Sequence, residues 1–168
     1  KYWNTYLKLE VALFEPRIPQ NTGNIARSCA AFNIPLNLIE PLGFKLEDKY
    51  LKRAGLDYWP LVTVNQYKNF EKFLASKSSK RIISFSKKNG LYLKDFTFKQ
   101  DDILLFGRED SGLPDSIIDK SDFLISIFMP NIQTGNNDQK GVRSLNLSVA
   151  CGIAIYEAHK QINFQNGN

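Results

Sequence analysis

Three stretches of the chain carry polar side chains of types that could bind or activate a substrate. The first runs from Lys140 to Ser148, holds Arg143, Ser144 and Asn146, and leads into an apolar run. We predict that a helix begins at Ser144. The free N–H groups and the positive dipole end of such a helix suit a carboxylate or a phosphate. An ordinary core helix capped by Ser144 is the alternative interpretation.

The second stretch is a predicted helix from Asn21 to Phe32, with Asn21 or Thr22 as its N-cap. Asn24, Arg27 and Ser28 fall on the face opposite to the apolar residues. An arginine one turn from a glycine-containing strand-to-helix loop is placed like a phosphate contact. A plain surface arginine is the alternative.

The third stretch is the loop from Gly107 to Pro114, which contains Glu109 and follows a strand. Three predicted strands end at Phe85, at Gly107 and near Met129. In open parallel sheets, ligands bind beyond the carboxyl ends of the strands. These three ends and the start of the last helix therefore define a candidate pocket.

The elements that position these stretches alternate between short apolar runs and helical patterns. This alternation predicts an α/β fold, with a mostly parallel sheet flanked by helices. The predicted strands are Leu7–Phe14, Leu36–Ile39, Leu61–Val64, Arg81–Phe85, Ile103–Phe106 and Phe123–Met129, and a further helix is predicted over Tyr67–Ala75.

Composition excludes several kinds of site. The only histidine is His159, so a zinc site or a histidine-based nucleophilic mechanism is not expected, and we predict no metal. Glycine-rich nucleotide-binding signatures are absent. The two cysteines, Cys29 and Cys151, indicate buried thiols in a reducing compartment. With no secretory signal and no apolar run long enough to span a bilayer, we expect a cytoplasmic protein.

Charge is distributed unevenly along the chain. The 168 residues carry a net charge of +5. Residues 61–100 hold nine basic and two acidic side chains, whereas residues 101–168 hold five and nine. A basic middle third suits a polyanion such as nucleic acid, and a lysine-rich solvated surface is the alternative.

Four sequence blocks together resemble the SPOUT superfamily of RNA methyltransferases over almost the whole chain. The block from Pro16 to Arg27 resembles the first motif, and Phe106–Pro114 resembles the second. Arg143–Ser148 with Tyr156–Gln161 resembles the third. Leu51–Tyr58 resembles a stretch of one branch, the TrmL (YibK-like) tRNA ribose 2′-O-methyltransferases.

The resemblance implies a fold, a cofactor and partners. It implies that residues 1–168 form a single SPOUT methyltransferase domain with a C-terminal trefoil knot. It also implies a homodimer packed through the first and last helices, with Tyr156 at the interface. The implied substrate is tRNA, methylated on the wobble cytidine or uridine at position 34. The implied cofactor is S-adenosyl-L-methionine, and its implied binding residues are Phe85, Gly107, Glu109, Ile127, Met129, Ser144, Leu145 and Asn146.

The implied catalytic residues are Arg27, Glu109 and Asn146. Because arginine hardly deprotonates in proteins, we interpret Arg27 as the group that grips the RNA phosphate and stabilises the developing alkoxide. Glu109 and Asn146 would orient Arg27 or the substrate, and Glu109 as general base is a weaker hypothesis. The implied RNA-binding residues are Asn24, Arg27, Lys52, Arg53 and Arg143. The structural alternative for Glu109 is a loop acid satisfied by backbone amides.

Two departures from the family pattern bear on the substrate. Ile127-Phe128-Met129 lacks the proline usual before the third motif, and the loop from Asn131 to Gly141 is longer than the family link. A 2′-O-methyltransferase for rRNA or for another tRNA position is therefore an alternative, as is a catalytically silent RNA-binding dimer.

Overall fold

Seven parallel strands form one sheet in the computed structural model, which describes residues 9–55, 58–87, 89–130 and 144–164. The strands are listed in chain order: β1 (Glu10–Phe14), β2 (Leu36–Ile39), β3 (Val64–Tyr67), β4 (Ile82–Phe85), β5 (Leu91–Tyr92), β6 (Ile103–Phe106) and β7 (Phe123–Ser126). Their order across the sheet is β3-β2-β1-β6-β4-β7-β5. The predicted α/β class with a parallel sheet is confirmed.

Helices cover both faces of this sheet. They are α1 (Pro19–Ala31), α2 (Lys49–Gly55), α3 (Phe70–Ser76), α4 (Asp115–Ile118) and α5 (Leu147–Phe164). Successive strand residues point to opposite faces. Val11 and Leu13 of β1 accordingly pack with α1 and α5, whereas Ala12 and Phe14 pack with α3 and α4. The chain therefore forms three layers with a buried sheet in the middle.

The two central strands are apolar apart from Glu10 at the start of β1, because both of their faces are covered. Every residue of β1 and of β6 is buried. The first helix is anchored on the same core, since Ile25 and Cys29 are fully buried. This rigid centre fixes the loops that follow β1, β4 and β6.

Several predicted boundaries are wrong. The helix predicted from Asn21 begins at Pro19, with Ile18 as N-cap and no side-chain cap, because proline is preorganised for the first helical position. The third strand lies at Val64–Tyr67 and not at Leu61–Val64, because Trp59–Leu61 forms a 3-10 turn around Pro60. The last helix begins at Leu147 rather than Ser144.

The trefoil knot implied by the resemblance stays a prediction. It involves the connection between β7 and α5, and residues 131–143 of that connection lie outside the described residues. Arg143 and the Asn131–Gly141 loop lie there too.

Candidate active site

A cleft of about 490 Å³ opens at the carboxyl ends of β4, β6 and β7, beside the start of α5. These three strands are neighbours in the sheet, in the order β6-β4-β7. The cleft thus lies at the strand ends where the sequence predicts a pocket.

All eight residues predicted to bind the cofactor line this one cleft. They arrive from four separate segments: the end of β4, the loop after β6, the segment after β7, and the approach to α5. The lining includes Phe85, Gly107, Glu109, Ile127, Met129, Ser144, Leu145 and Asn146.

One wall of the cleft is aromatic. Phe85 at the end of β4 stacks on Phe106 at the end of β6, with ring centroids 4.6 Å apart and ring planes 11° from parallel. Both rings are largely buried, so they form a fixed apolar surface. A surface of this kind suits a flat, weakly polar ligand group.

Another wall is the loop after β6, which folds tightly back on itself. The Arg108 amide donates to the Gly112 carbonyl at 3.1 Å, and the Gly112 amide donates to the Arg108 carbonyl at 2.8 Å. A Cβ at Gly107 would lie 2.2 Å from the Gly112 carbonyl carbon and 2.3 Å from the Leu113 nitrogen. Only glycine allows this close approach of backbone to backbone.

Glu109 holds the start of α1. Its Oε2 accepts a hydrogen bond from the Arg17 amide at 2.8 Å, and its Oε1 accepts one from the Ile18 amide at 3.1 Å. The carboxylate therefore satisfies amides at the positive end of α1. This is the backbone-satisfied arrangement that the sequence offered as the alternative for Glu109.

Asn21 and Asn146 connect this carboxylate to α5. The buried Asn21 amide Nδ2 lies 3.5 Å from Glu109 Oε1, and Asn21 Oδ1 accepts a hydrogen bond from Asn146 Nδ2 at 3.0 Å. Asn146 also caps α5, since its Oδ1 accepts from the Ser148 amide at 2.9 Å. Glu109, Asn21 and Asn146 form one chain of hydrogen bonds across the three motif segments, and we call it the motif bridge.

The Ser144 cap predicted for the last helix is therefore wrong. Asn146 takes that place because it directly precedes the first helical residue, and its carbonyl accepts the Ala150 amide at 3.0 Å.

Arg27 lies outside the cleft lining, on the exposed face of α1. Its guanidinium carbon sits 4.7 Å from the centre of the Tyr58 ring. Among the described residues it forms no ion pair, and it does not contact Glu109. It lies six residues beyond Asn21, about 9 Å farther along the helix.

The other predicted RNA-binding residues are placed as follows. Asn24 is exposed on α1 beside Arg27, and Arg53 is exposed on α2. Lys52 lies on α2, but its side chain is outside the described residues.

Arg108 and Asp110 form an ion pair at the rim. Arg108 Nε and Nη2 donate to the two carboxylate oxygens of Asp110 at 3.1 and 3.0 Å. This hydrogen bonding, more than the opposing desolvation, lowers the pKa of Asp110 and raises that of Arg108. Both groups therefore stay charged at neutral pH.

The sequence missed two residues of this site as active-site candidates. The sequence predicts Asn21 or Thr22 only as a helix cap, and it includes Tyr58 only in the family-like stretch Leu51–Tyr58. The dense polar run Asn21-Thr22-Gly23-Asn24 was a usable signal for Asn21. The contact between Tyr58 and Arg27 had no sequence signal, since it joins separate elements.

Neither a metal site nor a membrane-spanning helix is found in the described ranges. No group of three histidine, cysteine or acidic side chains there could hold a metal ion. No helix within them combines the length and apolarity that crossing a membrane requires.

The sheet and its cleft place the chain among α/β proteins that bind a ligand beyond the carboxyl ends of parallel strands. The profile of the SpoU rRNA methylase family matches residues 8–156. The chain belongs to that family, which confirms the predicted resemblance to the SPOUT methyltransferases.

Several relatives share nearly the full length. The tRNA (cytidine(34)-2′-O)-methyltransferase of Saccharophagus degradans is 39% identical over 154 residues, which cover 92% of this chain and 96% of the relative. A structure solved for insights into the 2′-OH methylation of C/U34 on tRNA is 44% identical, with a TM-score of 0.82. The match covers 91% of this chain and 95% of that one.

A more distant structure shares the fold. It is the SpoU methyltransferase AviRb from Streptomyces viridochromogenes in complex with the cofactor AdoMet, at 24% identity and a TM-score of 0.73. The match covers 92% of this chain and 60% of that one.

Proposed function

We propose that this chain is an S-adenosyl-L-methionine-dependent 2′-O-methyltransferase acting on the wobble cytidine or uridine, position 34, of tRNA. The observation that carries the proposal is the convergence of all eight predicted cofactor residues on one cleft. The names of the nearly full-length relatives support the substrate. The proposal treats residues 1–168 as a single methyltransferase domain.

The cleft fits the proposed cofactor in size and chemistry. Its volume of about 490 Å³ lies within the usual range for small-molecule sites. The Phe85 and Phe106 rings suit a nucleobase, the tight loop at Gly107 presents backbone groups, and the first turn of α5 suits a carboxylate. When bound, S-adenosylmethionine supplies an electrophilic methyl group on a sulfonium centre.

Arg27 is the proposed catalytic residue. A ribose 2′-hydroxyl is a poor nucleophile, so the enzyme must align it and stabilise the alkoxide that develops. Arg27 stays protonated and would grip the adjacent phosphate, which becomes the candidate proton acceptor. Its position about 9 Å along α1 from the cleft suits a contact with RNA rather than with the cofactor.

In this proposal, Glu109 and Asn146 serve to position α1 and Arg27. Glu109 already accepts two backbone amides, which favours a role in fixing the start of α1 over one as general base. Asn146 links that region to α5 through Asn21. The motif bridge thereby sets where α1, and with it Arg27, stands relative to the cleft.

The RNA surface in this proposal combines Asn24, Arg27 and Arg53, which are exposed, with Lys52 and Arg143. Neutralising RNA phosphates by such cations makes binding salt-dependent.

The proposed homodimer uses the outer face of α5. Val149, Ile153 and Tyr156 are exposed there at intervals of four and three residues, and Tyr156 is 59% exposed. An apolar stripe of this kind on a helix whose other face is already buried favours a partner subunit.

The test is methyl transfer from labelled S-adenosylmethionine to unmodified total small RNA, followed by nucleoside analysis. We expect label in 2′-O-methylcytidine or 2′-O-methyluridine from tRNA anticodons. Arg27→Ala should retain cofactor binding and lose transfer by 100-fold or more, on the order expected for removing one charge-stabilising group. Unchanged turnover in this variant would rule out the proposed role of Arg27.

Ribosomal RNA is the second candidate, because the matching family is described by rRNA methylation. Label in rRNA but not in tRNA would select it. No transfer to any RNA together with no cofactor binding would select a catalytically silent RNA-binding dimer.

A further inference from the structure

The outer face of α2 carries an aromatic ring between two cations. Tyr50 is 43% exposed, and Lys49 Nζ lies 5.1 Å from the centre of its ring. Arg53 is also exposed and lies three residues on, so it shares a face of the helix with Tyr50. Leu51 is 1% exposed and anchors the opposite face in the interior. We call Lys49, Tyr50 and Arg53 the α2 surface.

The cations of this surface have no acidic partner among the described residues. Arg17, Arg81 and Arg108 each pair with a carboxylate. Within the same described ranges, Arg27 and Arg53 do not, and Lys49 contacts only the Tyr50 ring. Unpaired cations beside an exposed aromatic ring are the combination that binds single-stranded nucleic acid.

The α2 surface lies close to the proposed catalytic arginine. The Arg27 guanidinium lies over the ring of Tyr58, and Tyr58 follows the end of α2 by three residues. The helix itself has seven residues and is about 10 Å long. An RNA strand held at Arg27 would therefore reach Tyr50 within a few nucleotides.

We propose that Tyr50 stacks on a base of the RNA loop near the methylated nucleotide, while Lys49 and Arg53 neutralise the adjacent phosphates. The inference rests on the proposed function and deepens it, because it makes the substrate a single-stranded loop with unstacked bases. Aromatic stacking accepts any base and supplies affinity without a sequence code.

A protein partner fits this surface less well. The cores of protein interfaces are depleted in charged residues, whereas here one ring stands between two exposed cations. An RNA duplex fits less well too, since its bases are already stacked and paired.

The experiment uses a tRNA anticodon stem-loop with 2-aminopurine placed next to the target nucleotide. Wild type and Tyr50→Phe, which keep the aromatic ring, should change the 2-aminopurine fluorescence on binding. Tyr50→Leu keeps apolar bulk without a ring and should not. Tyr50→Leu and Tyr50→Ala should weaken RNA binding by roughly 5- to 100-fold, a loss that appears in KM and not in kcat.

Two controls separate the possible failures. Cofactor binding and thermal stability of all the Tyr50 variants should match wild type, because the ring is exposed. Suppose that wild type transfers methyl groups to tRNA, and that Tyr50→Leu has the RNA affinity and the 2-aminopurine fluorescence change of wild type. The stacking inference is then wrong and the proposed function stands. If wild type neither binds nor methylates the stem-loop, the proposed function itself fails.

Discussion

Asn146 carries two separate tasks at the scale of a single residue. Its Oδ1 caps α5 through the Ser148 amide, and its Nδ2 donates to Asn21. The first task stabilises a helix, whereas the second fixes the relative position of two helices. Because the two tasks use different atoms of one amide, substitution can separate them.

Asn146→Ser should keep the N-cap of α5 and lose the hydrogen bond to Asn21. Serine is a good N-cap but cannot donate an amide N–H to Asn21. We expect stability within about 0.5 kcal/mol of wild type by urea unfolding, with at least tenfold slower methyl transfer at saturating cofactor. Asn146→Ala should lose transfer and also about 1 kcal/mol of stability. Wild-type turnover by the serine variant would show that the motif bridge does not serve the reaction.

The sequence predicted which residue types belong to the site but not how they pair. Phe85, Gly107 and Asn146 line the cleft because strand and helix ends define it. The contact of Glu109 with the start of α1 joins residues more than 90 positions apart. No local pattern encodes such a pair, so the expected orientation of Arg27 by Glu109 had no physical basis in the sequence.

The loop after β6 shows what one element requires of its residues. The main chain of this loop folds back so that Arg108 and Gly112 pair with each other, and Gly107 lies against the main chain of Gly112. The close approach at Gly107 is therefore one of main chain to main chain.

Gly107→Ala should distort this loop. The added methyl group would meet main-chain atoms that cannot turn aside, at a cost of about 1–3 kcal/mol. We expect cofactor affinity by calorimetry to fall at least tenfold. Ser116→Ala, an exposed substitution in α4 outside the cleft lining, should leave cofactor affinity near wild type. A normal affinity for the alanine variant at Gly107 would mean that the loop does not contact the cofactor.

The bounds of the strands and helices were predicted more accurately where the element is more deeply buried. β2 and β6 have the predicted bounds because both are short, fully buried apolar runs. β3 was displaced because it lies at a sheet edge, where half-exposed residues carry little pattern. β5 and α4 were missed because two and four residues are too few for a period to show.

The whole molecule presents an apolar stripe on α5 that the proposed dimer would bury. Tyr156→Asp places a charge within this stripe and should shift the protein from dimer to monomer in sedimentation velocity. Ser116→Asp, which adds the same charge at an exposed site of α4, is the matched control and should leave the dimer intact. A fully dimeric Tyr156 variant would move the interface elsewhere.

A buried ion-pair network lies at the amino end of β1, at the opposite end of the strands from the cleft. Glu10 is 5% exposed and accepts hydrogen bonds from Lys77, Lys80 and Asn37 at 2.8, 2.6 and 3.2 Å. Burial is the largest influence and opposes ionisation, but the hydrogen bonds from the two lysines and Asn37 together outweigh it. The pKa of Glu10 therefore lies below its ordinary value of 4.5.

Glu10→Gln should destabilise the fold by about 2 kcal/mol at neutral pH, because it leaves two lysines without their counter-charge. The depressed pKa makes this contribution complete above pH 4.5 and lost as the pH falls through the folded-state value. The gap between variant and wild type should therefore narrow in acid, as measured by urea unfolding on both sides of pH 4.5. Glu71→Gln, in an exposed pair, should change stability by less than about 0.5 kcal/mol.

At this scale the sequence predicted the class of fold but not the order of its strands. Alternation of apolar runs and helical patterns defines a layered parallel sheet without saying which strands are neighbours. The basic middle third was a guide to nucleic acid in general, whereas the unpaired cations beside Tyr50 and Tyr58 became visible only once α2 was placed against α1.

The position of β6 has a consequence for how the chain is made. This strand lies between β1 and β4, although it follows both in the sequence. A ribosome that has released β1 to β4 has therefore delivered a three-stranded sheet, β3-β2-β1, whose β1 edge is open, and a fourth strand whose neighbours do not yet exist. Such edges attract other chains. The open edge of β1 is covered only when residues 103–106 emerge and pair with β1 and β4.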